Sequence, residues 1–149
     1  MQLNHVGISV ANLERSMDFY KNVIGMEIAA APFPLVGDNY QQIMALNDLQ
    51  ARMCVMRKGS FLLELFEFSR PEPASKDSNY SVADRGISHF GIEVSDIRSE
   101  YDRLSAAGVR FHSPVLTFPS GIKATYGRDL DGNVFELLEM PKSSDGNRR

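Results

Sequence analysis

Two stretches of this chain repeat each other, and no other feature limits its fold so tightly. His5-Val6-Gly7-Ile8 near the start returns as His89-Phe90-Gly91-Ile92, 84 residues further on. Leu63-Glu64-Leu65-Phe66-Glu67 returns as Phe135-Glu136-Leu137-Leu138-Glu139, 72 residues further on. Between these anchors Asn12 matches Asp96, Leu13 matches Ile97, Met17 matches Tyr101 and Tyr20 matches Leu104, and glycines stand at 25 and 108. A chain that repeats at this period is built from two copies of one supersecondary unit. The difference of 12 between the two offsets is a shorter connection in the second copy.

The unit reads as β-α-β-β-β. Leu3–Val10 and Ile87–Val94 alternate in the manner of strands, whose successive side chains point to opposite faces. Ile87, His89, Gly91 and Glu93 then share one face, while Ser88, Phe90, Ile92 and Val94 share the mostly apolar other. Asn12 predicts a cap for a helix from about Leu13 to Ile24, with Leu13, Met17, Tyr20 and Ile24 on one face and Gly25 as its stop. Asp96 does the same for a helix carrying Ile97, Tyr101 and Leu104 and ending at Gly108. Further strands are expected at Met26–Ala30, Tyr40–Leu46, Arg52–Arg57 and Ser60–Phe68, with a loop over Ala31–Asp38. In the second copy strands are expected at Val109–His112, Ile122–Gly127 and Asn133–Met140. Thr117–Gly121 reads as a loop and Asp131-Gly132 as a hairpin turn. One domain over 1–140 is expected, with modules at about 3–68 and 87–140. Ser69–Gly86 is the linker and 141–149 a polar, disordered tail.

Composition narrows the class. Of 149 residues 43% are hydrophobic and 23% charged, which suits a globular chain with a core. No apolar run approaches the roughly 18–20 residues that span a bilayer, and the first residues lack the pattern of a secretory leader. The single cysteine, Cys54, excludes an intrachain disulfide and fits a reducing cytoplasm. Net charge is −3 with the 16 Lys and Arg scattered, so no basic stripe invites nucleic acid.

Each module offers one histidine on its first strand and one glutamate on its last. Glu64 shares a face with Leu62 and Phe66, and Glu136 with Val134 and Leu138. A carboxylate among apolar neighbours is costly to bury unless paired or bound to a metal. His5, Glu64, His89 and Glu136, related by pseudo-twofold symmetry, would form a mixed nitrogen and oxygen site for Zn²⁺, Ni²⁺, Co²⁺, Mn²⁺ or Fe²⁺. Four protein ligands leave positions open on an ion that accepts six, as catalysis requires. Either residue type alone has a plainer reading: a hydrogen-bonded strand histidine, or an edge-strand charge facing water. Matched positions in both copies favour the metal. Glu93 and His112 are read as a solvated strand end and a structural residue. Arg128 is read as part of a turn, available to acidic neighbours, and Phe118–Gly121 as an ordinary connection or a loop over a cavity. Ser9, Gln42, Met44 and Phe118 are the first guesses at cavity lining.

With these residues in view the chain resembles the vicinal-oxygen-chelate superfamily, over about Leu3 to Met140. The matching motifs are H-V-G-I-S-V, L-E-R-S-M-D-F-Y-K-N-V-I-G-M, L-L-E-L, I-S-H-F-G-I-E-V-S-D-I and R-D-L-D-G-N-V-F-E-L-L-E. The superfamily includes glyoxalase I, methylmalonyl-CoA epimerase, extradiol dioxygenases, fosfomycin-resistance proteins and metal-free bleomycin-binding proteins. The resemblance implies an α+β fold in which two βαβββ modules form a cupped eight-stranded mixed sheet around a metal site. It places His5, Glu64, His89 and Glu136 on the metal-ligand positions of glyoxalase I, and it implies a homodimer. Ser9 stands where glyoxalase I usually has an arginine for glutathione, and Phe66-Glu67-Phe68 lacks an expected asparagine. Both departures count against glutathione. The first expectation is a metal-dependent lyase or isomerase, glyoxalase- or epimerase-like. In it Glu64 or Glu136 moves a proton beside a metal-bound carbonyl of a small-molecule substrate. An Fe(II) ring-cleaving dioxygenase and a metal-free binding protein are the alternatives.

Overall fold

The computed structural model describes residues 2–74 and 76–142. The chain divides into two compact units, Met1–Tyr80 with Leu130–Asn133, and Ser81–Asp129 with the remainder.

The first unit begins with β1 (His5–Ser9). Helix α1 (Leu13–Asp18) follows and runs into a π-helical stretch at Phe19–Val23. Next come β2 (Glu27–Leu35), α2 (Asp38–Met44), β3 (Gln50–Lys58) and β4 (Phe61–Arg70). The strands form one sheet in the order β1-β4-β3-β2, with β1 parallel to β4 and the other pairs antiparallel. The expected cap is present: Asn12 Oδ1 accepts from the Arg15 N–H at 2.8 Å. Leu13, Tyr20 and Ile24 are buried on the expected face, joined by Ser16 and Phe19. Helix α1 lies on β3 and β4, whose inward residues Cys54, Met56, Leu63 and Leu65 are fully buried. The opposite face of the same strands carries Val55, Glu64 and Phe66, by the period-two alternation.

The structure corrects the reading in two places here. Ala31–Asp38 is not a loop, because β2 continues to Leu35. Its prolines are tolerated because β2 is an edge strand whose register shifts between Ile28 and Ala30 and again before Phe33. Tyr40–Leu46 is not a strand, because Asp38–Met44 is helical. Tyr40 and Met44, one turn apart, pack onto a cluster of Leu35, Ala51 and Met53, and tertiary burial outweighs the short apolar pattern.

The second unit contains β5 (Phe90–Glu93), α3 (Ile97–Ala106), β6 (Arg110–Phe111), β7 (Leu116–Thr117), β8 (Lys123–Arg128) and β9 (Val134–Glu139). Its sheet runs β5-β9-β8-β6, and β7 also pairs with β8. Asp96 caps α3 by accepting from the Ser99 N–H at 3.1 Å, and Gly108 ends it at φ +87°. Helix α3 buries Ile97 and Leu104 over β9, where Phe135 and Leu137 are buried. Thr117–Gly121 is a hairpin rather than an open loop: Thr117 pairs with Lys123, and the Phe118 N–H donates to the Ile122 carbonyl at 2.8 Å. Apart from Tyr40–Leu46, the expected strands thus fall into two sheets of four and five, the added one being the two-residue β7. The fold class is α+β, with a βαβββ plan in both halves. Of the expected tail, 143–149 lies outside the described residues.

Candidate functional site

Each unit sets one histidine against one glutamate in the same way. Strand β1 runs parallel to β4 with Gly7 beside Glu64, and β5 runs parallel to β9 with Gly91 beside Glu136. The offsets of 84 and 72 that relate the two motifs in the sequence therefore relate paired positions in the sheets. The glycines allow close packing on that face. A Cβ at Gly7 would meet the Phe66 ring at 3.0 Å, and one at Gly91 would meet Leu138 Cδ2 at 3.3 Å and Glu136 Oε2 at 3.8 Å.

His5 Nε2 stands 3.4 Å from Glu64 Oε2, and His89 Nε2 stands 3.6 Å from Glu136 Oε2. In both cases the other ring nitrogen is held by the preceding residue: His5 Nδ1 with Asn4 Oδ1 at 2.9 Å, His89 Nδ1 with Ser88 Oγ at 2.8 Å. An amide oxygen only accepts, so Asn4 requires the proton on Nδ1 and leaves Nε2 of a neutral His5 as a lone pair. In the first pair two acceptors then face each other, which is stable with a cation or a proton between them, while the Ser88 hydroxyl, which both donates and accepts, leaves either His89 tautomer open. A charge-assisted hydrogen bond would draw such a pair to about 2.7–2.9 Å. Two ligands about 2.0–2.2 Å from one ion, at angles near tetrahedral, lie about 3.3–3.6 Å apart. The spacing and the Nδ1 anchors thus fit metal ligation, in which the second ring nitrogen is held by a neighbouring group. All four side chains are partly exposed, so solutes reach them.

The structure brings the four expected ligands together two by two, one pair in each unit. Among the described residues no group of three or more His, Cys, Asp and Glu is gathered for a metal ion. Of the guessed lining residues, Ser9 borders a cavity of about 630 Å³ with Phe68, Glu72, Lys76, Asp131 and Asn133. Ser9 alternates with Gly7 and His5, and Phe68 with Glu64, so this cavity adjoins the face that bears the first pair. Gln42 is exposed on α2, Met44 belongs to the apolar cluster over Met53, and Phe118 is half-exposed at its hairpin turn. Glu93 is exposed at the strand end and Arg128 is buried.

One residue beside the second pair escaped the sequence reading. Tyr126 is the cross-strand partner of Glu136, and its ring centroid lies 4.6 Å from that of His89. Burial, and then the Glu136 charge, push its phenol above the ordinary value. Counting outward from a two-residue turn at Asp131-Gly132 sets Gly127 opposite Glu136; the connection is instead the five residues 129–133, and that register puts Tyr126 there. His112 packs edge-on to Tyr126 at 6.0 Å, and its N–H donates to the Tyr126 carbonyl at 2.8 Å. Burial, and then Arg128, lower the His112 imidazole pKa.

Comparison with known proteins settles the family. The sequence profile of the Glyoxalase/Bleomycin resistance protein/Dioxygenase superfamily matches residues 2–137. The chain belongs to that superfamily. Within it, the chain is 31% identical to a 2-epi-5-epi-valiolone epimerase of Actinomyces sp, covering 93% of this chain and 79% of the relative. It is 28% identical to a mitochondrial methylmalonyl-CoA epimerase of Dictyostelium discoideum, covering 93% and 78%. In fold it is similar to a glyoxalase family protein from Bacillus cereus, with a TM-score of 0.84, 20% identity and 95% of each chain covered. Among the described residues no helix is long and apolar enough to cross a membrane.

Proposed function

We propose that this superfamily member is a metal-dependent isomerase or lyase, nearer to the epimerases than to glutathione-dependent glyoxalases. The observation that carries the reading is the repeated His–Glu pair, with Nε2 and Oε2 at 3.4 and 3.6 Å and Nδ1 tied back in each. The relatives support it, since two epimerases match across 93% of the chain. A divalent ion bound there would supply Lewis acidity toward a substrate carbonyl, making the adjacent C–H acidic.

The chain's own residues supply the rest. His5 and His89 would hold the ion through Nε2. Glu64 and Glu136 would be ligands as well, and one of them would accept the proton from the acidic carbon and return it. Gly7 and Gly91 let the Phe66 ring and the Leu138 side chain lie close against the strands that carry the pairs. Ser9, in place of an arginine, offers no fixed charge for a glutathione carboxylate.

Solvent-deuterium exchange at the acidic carbon tests this. The protein, stripped and reloaded with Zn²⁺, Ni²⁺, Co²⁺ or Mn²⁺, is offered α-hydroxy ketones, 2-oxo acid adducts and acyl-CoA thioesters. Exchange with at least one, abolished by EDTA, is the expected result. No exchange, together with oxygen uptake on a catechol by Fe²⁺-loaded protein, overturns it in favour of ring cleavage. Ligand affinity unchanged by EDTA, again without exchange, overturns it in favour of a binding protein.

A further inference from the structure

The first unit holds a cavity of about 630 Å³ that the His–Glu chemistry does not use, and all of its lining residues belong to that unit. Ser9 lies beyond His5 on β1, and Phe68 lies beyond Glu64 on β4, which runs parallel to β1. Both strands thus lead from the pair to the cavity, over about 13 Å at a strand rise of roughly 3.3 Å per residue. An aromatic floor joins the two places. The Phe66 ring lies against Gly7 and stacks on Phe68, with centroids 5.9 Å apart and planes at 14°. Among the described residues the charged members of the lining are Glu72, Lys76 and Asp131. Asp131 is engaged by the Arg15 guanidinium at 2.8 Å and by Ser16 Oγ at 3.2 Å. The Lys76 ammonium lies over the Tyr80 ring, 3.7 Å from its centroid. Glu72 is an exposed carboxylate. Such a lining repels phosphates and carboxylates and accepts hydrogen bonds from hydroxyl groups.

We infer that this cavity binds the far end of the substrate, and that this end is an uncharged polyhydroxylated group of the sugar or cyclic-polyol kind. The assignment deepens the metal-dependent reading above and rests on it for the reacting carbonyl. An apolar platform with a few polar groups at its rim is the usual build of a small-molecule site. A sugar ring has the matching surface, since its C–H face lies on an aromatic ring and its hydroxyls point to the edge. Phe68 is the platform. The Glu72 carboxylate accepts from hydroxyls, the Ser9 hydroxyl donates or accepts, and the Asn133 amide brings both a donor and an acceptor. The consequence is selection among carbonyl compounds. A polyhydroxy ketone long enough to span both places is held at both ends. An acyl-CoA thioester would bring phosphates against Glu72, and a glutathione adduct would bring carboxylates.

The test follows the backbone amide shifts of the whole chain by NMR during titration, with and without Zn²⁺. The uncharged probe is myo-inositol, and the charged one is adenosine 3′,5′-bisphosphate. At millimolar concentration myo-inositol should shift the amides of Ser9, Phe68 and Asn133, equally in both forms, because the cavity stands apart from the His–Glu pair. Phe68→Ala removes the platform and Glu72→Gln removes the charged acceptor. Each should raise the dissociation constant for myo-inositol about five- to tenfold. Glu72 is exposed, so Glu72→Gln should melt with the wild type even where Phe68→Ala does not. Unchanged affinity in Glu72→Gln overturns the assignment. So do amide shifts by the bisphosphate at the same residues in place of myo-inositol, or no shift by myo-inositol at all. Protein that takes up no Zn²⁺ yet binds myo-inositol at these amides overturns the metal reading and leaves the cavity a polyol site.

Discussion

The tie between each histidine and the residue before it governs the chemistry open to the imidazole. Asn4 and Ser88 leave Nε2 facing a carboxylate oxygen, at distances suited to ligands sharing an ion. His5→Ala or His89→Ala should therefore remove most bound metal, because each deletes a nitrogen ligand that nothing nearby replaces. Atomic absorption on protein purified without a tag reads this directly, and full metal content in both variants would refute the assignment. The glutamates should behave differently. Gln keeps an oxygen but loses the charge and the basicity. Glu64→Gln and Glu136→Gln should lower metal affinity moderately. Turnover at saturating metal should fall further, by about 10²–10⁴-fold in the variant that lacks the base. Deuterium exchange at excess metal separates the two effects. Equal, small losses in both variants would mean that neither carboxylate moves a proton.

At the scale of elements, the repeat reuses a device at the start of each helix. The Leu13 N–H donates to Glu67 Oε2 at 2.6 Å, and the Ile97 N–H donates to Glu139 Oε2 at 2.9 Å. A carboxylate from the last strand thus satisfies a backbone donor at the helix start and complements the positive end of the helix dipole. A basic residue on the neighbouring strand completes each arrangement: Arg52 bridges Glu67 and Glu14, and Lys123 meets Glu139 at 2.7 Å. The Ile97 N–H first, and Lys123 after it, hold the Glu139 carboxyl below its ordinary range. A carboxyl lowered on folding stabilises the fold while it is ionised, that is, above its unfolded value of about 4.3. The contribution fades as pH falls through the lower folded value. Glu139→Gln should melt earlier than the wild type at pH 7 and lose less on acidification toward pH ~3. Melting curves across that range check both slopes, and parallel curves would exclude the linkage.

Over the whole chain, the turn between β8 and β9 serves two structures at once. Leu130–Asn133 groups with the first unit, where Asp131 accepts from the Arg15 guanidinium at 2.8 Å and from Ser16 Oγ at 3.2 Å. Gly132 holds φ +86°, and a Cβ there would strike the backbone of Ser78. Gly132→Ala therefore meets both a strained backbone and a steric block that no side-chain rotation relieves. A loss of about 1–3 kcal/mol in urea-denaturation stability is expected. The same substitution at Gly59, where φ is positive but no atom lies within 4 Å, should cost less. Equal losses at the two sites would show that packing against Ser78 contributes nothing.

The sequence by itself determined the repeat, the two capped helices, the turn at Asp131-Gly132 and the four candidate ligands. All of these rest on local rules, namely strand alternation, capping chemistry and matched spacing, which need no knowledge of distant parts of the chain. Tertiary structure decided what those rules do not reach. Tyr40 and Met44 form a helix because a cluster built from β2 and β3 buries them, and β2 runs through two prolines because it is an edge. Tyr126 joins His89 and Glu136 only once strand register is set, since pairing across a sheet brings together residues far apart in the chain. The 3.4 and 3.6 Å spacings arise in the same way. Spacing along a chain names which side chains can share a face, while the distance between two of them depends on how the strands pair and twist.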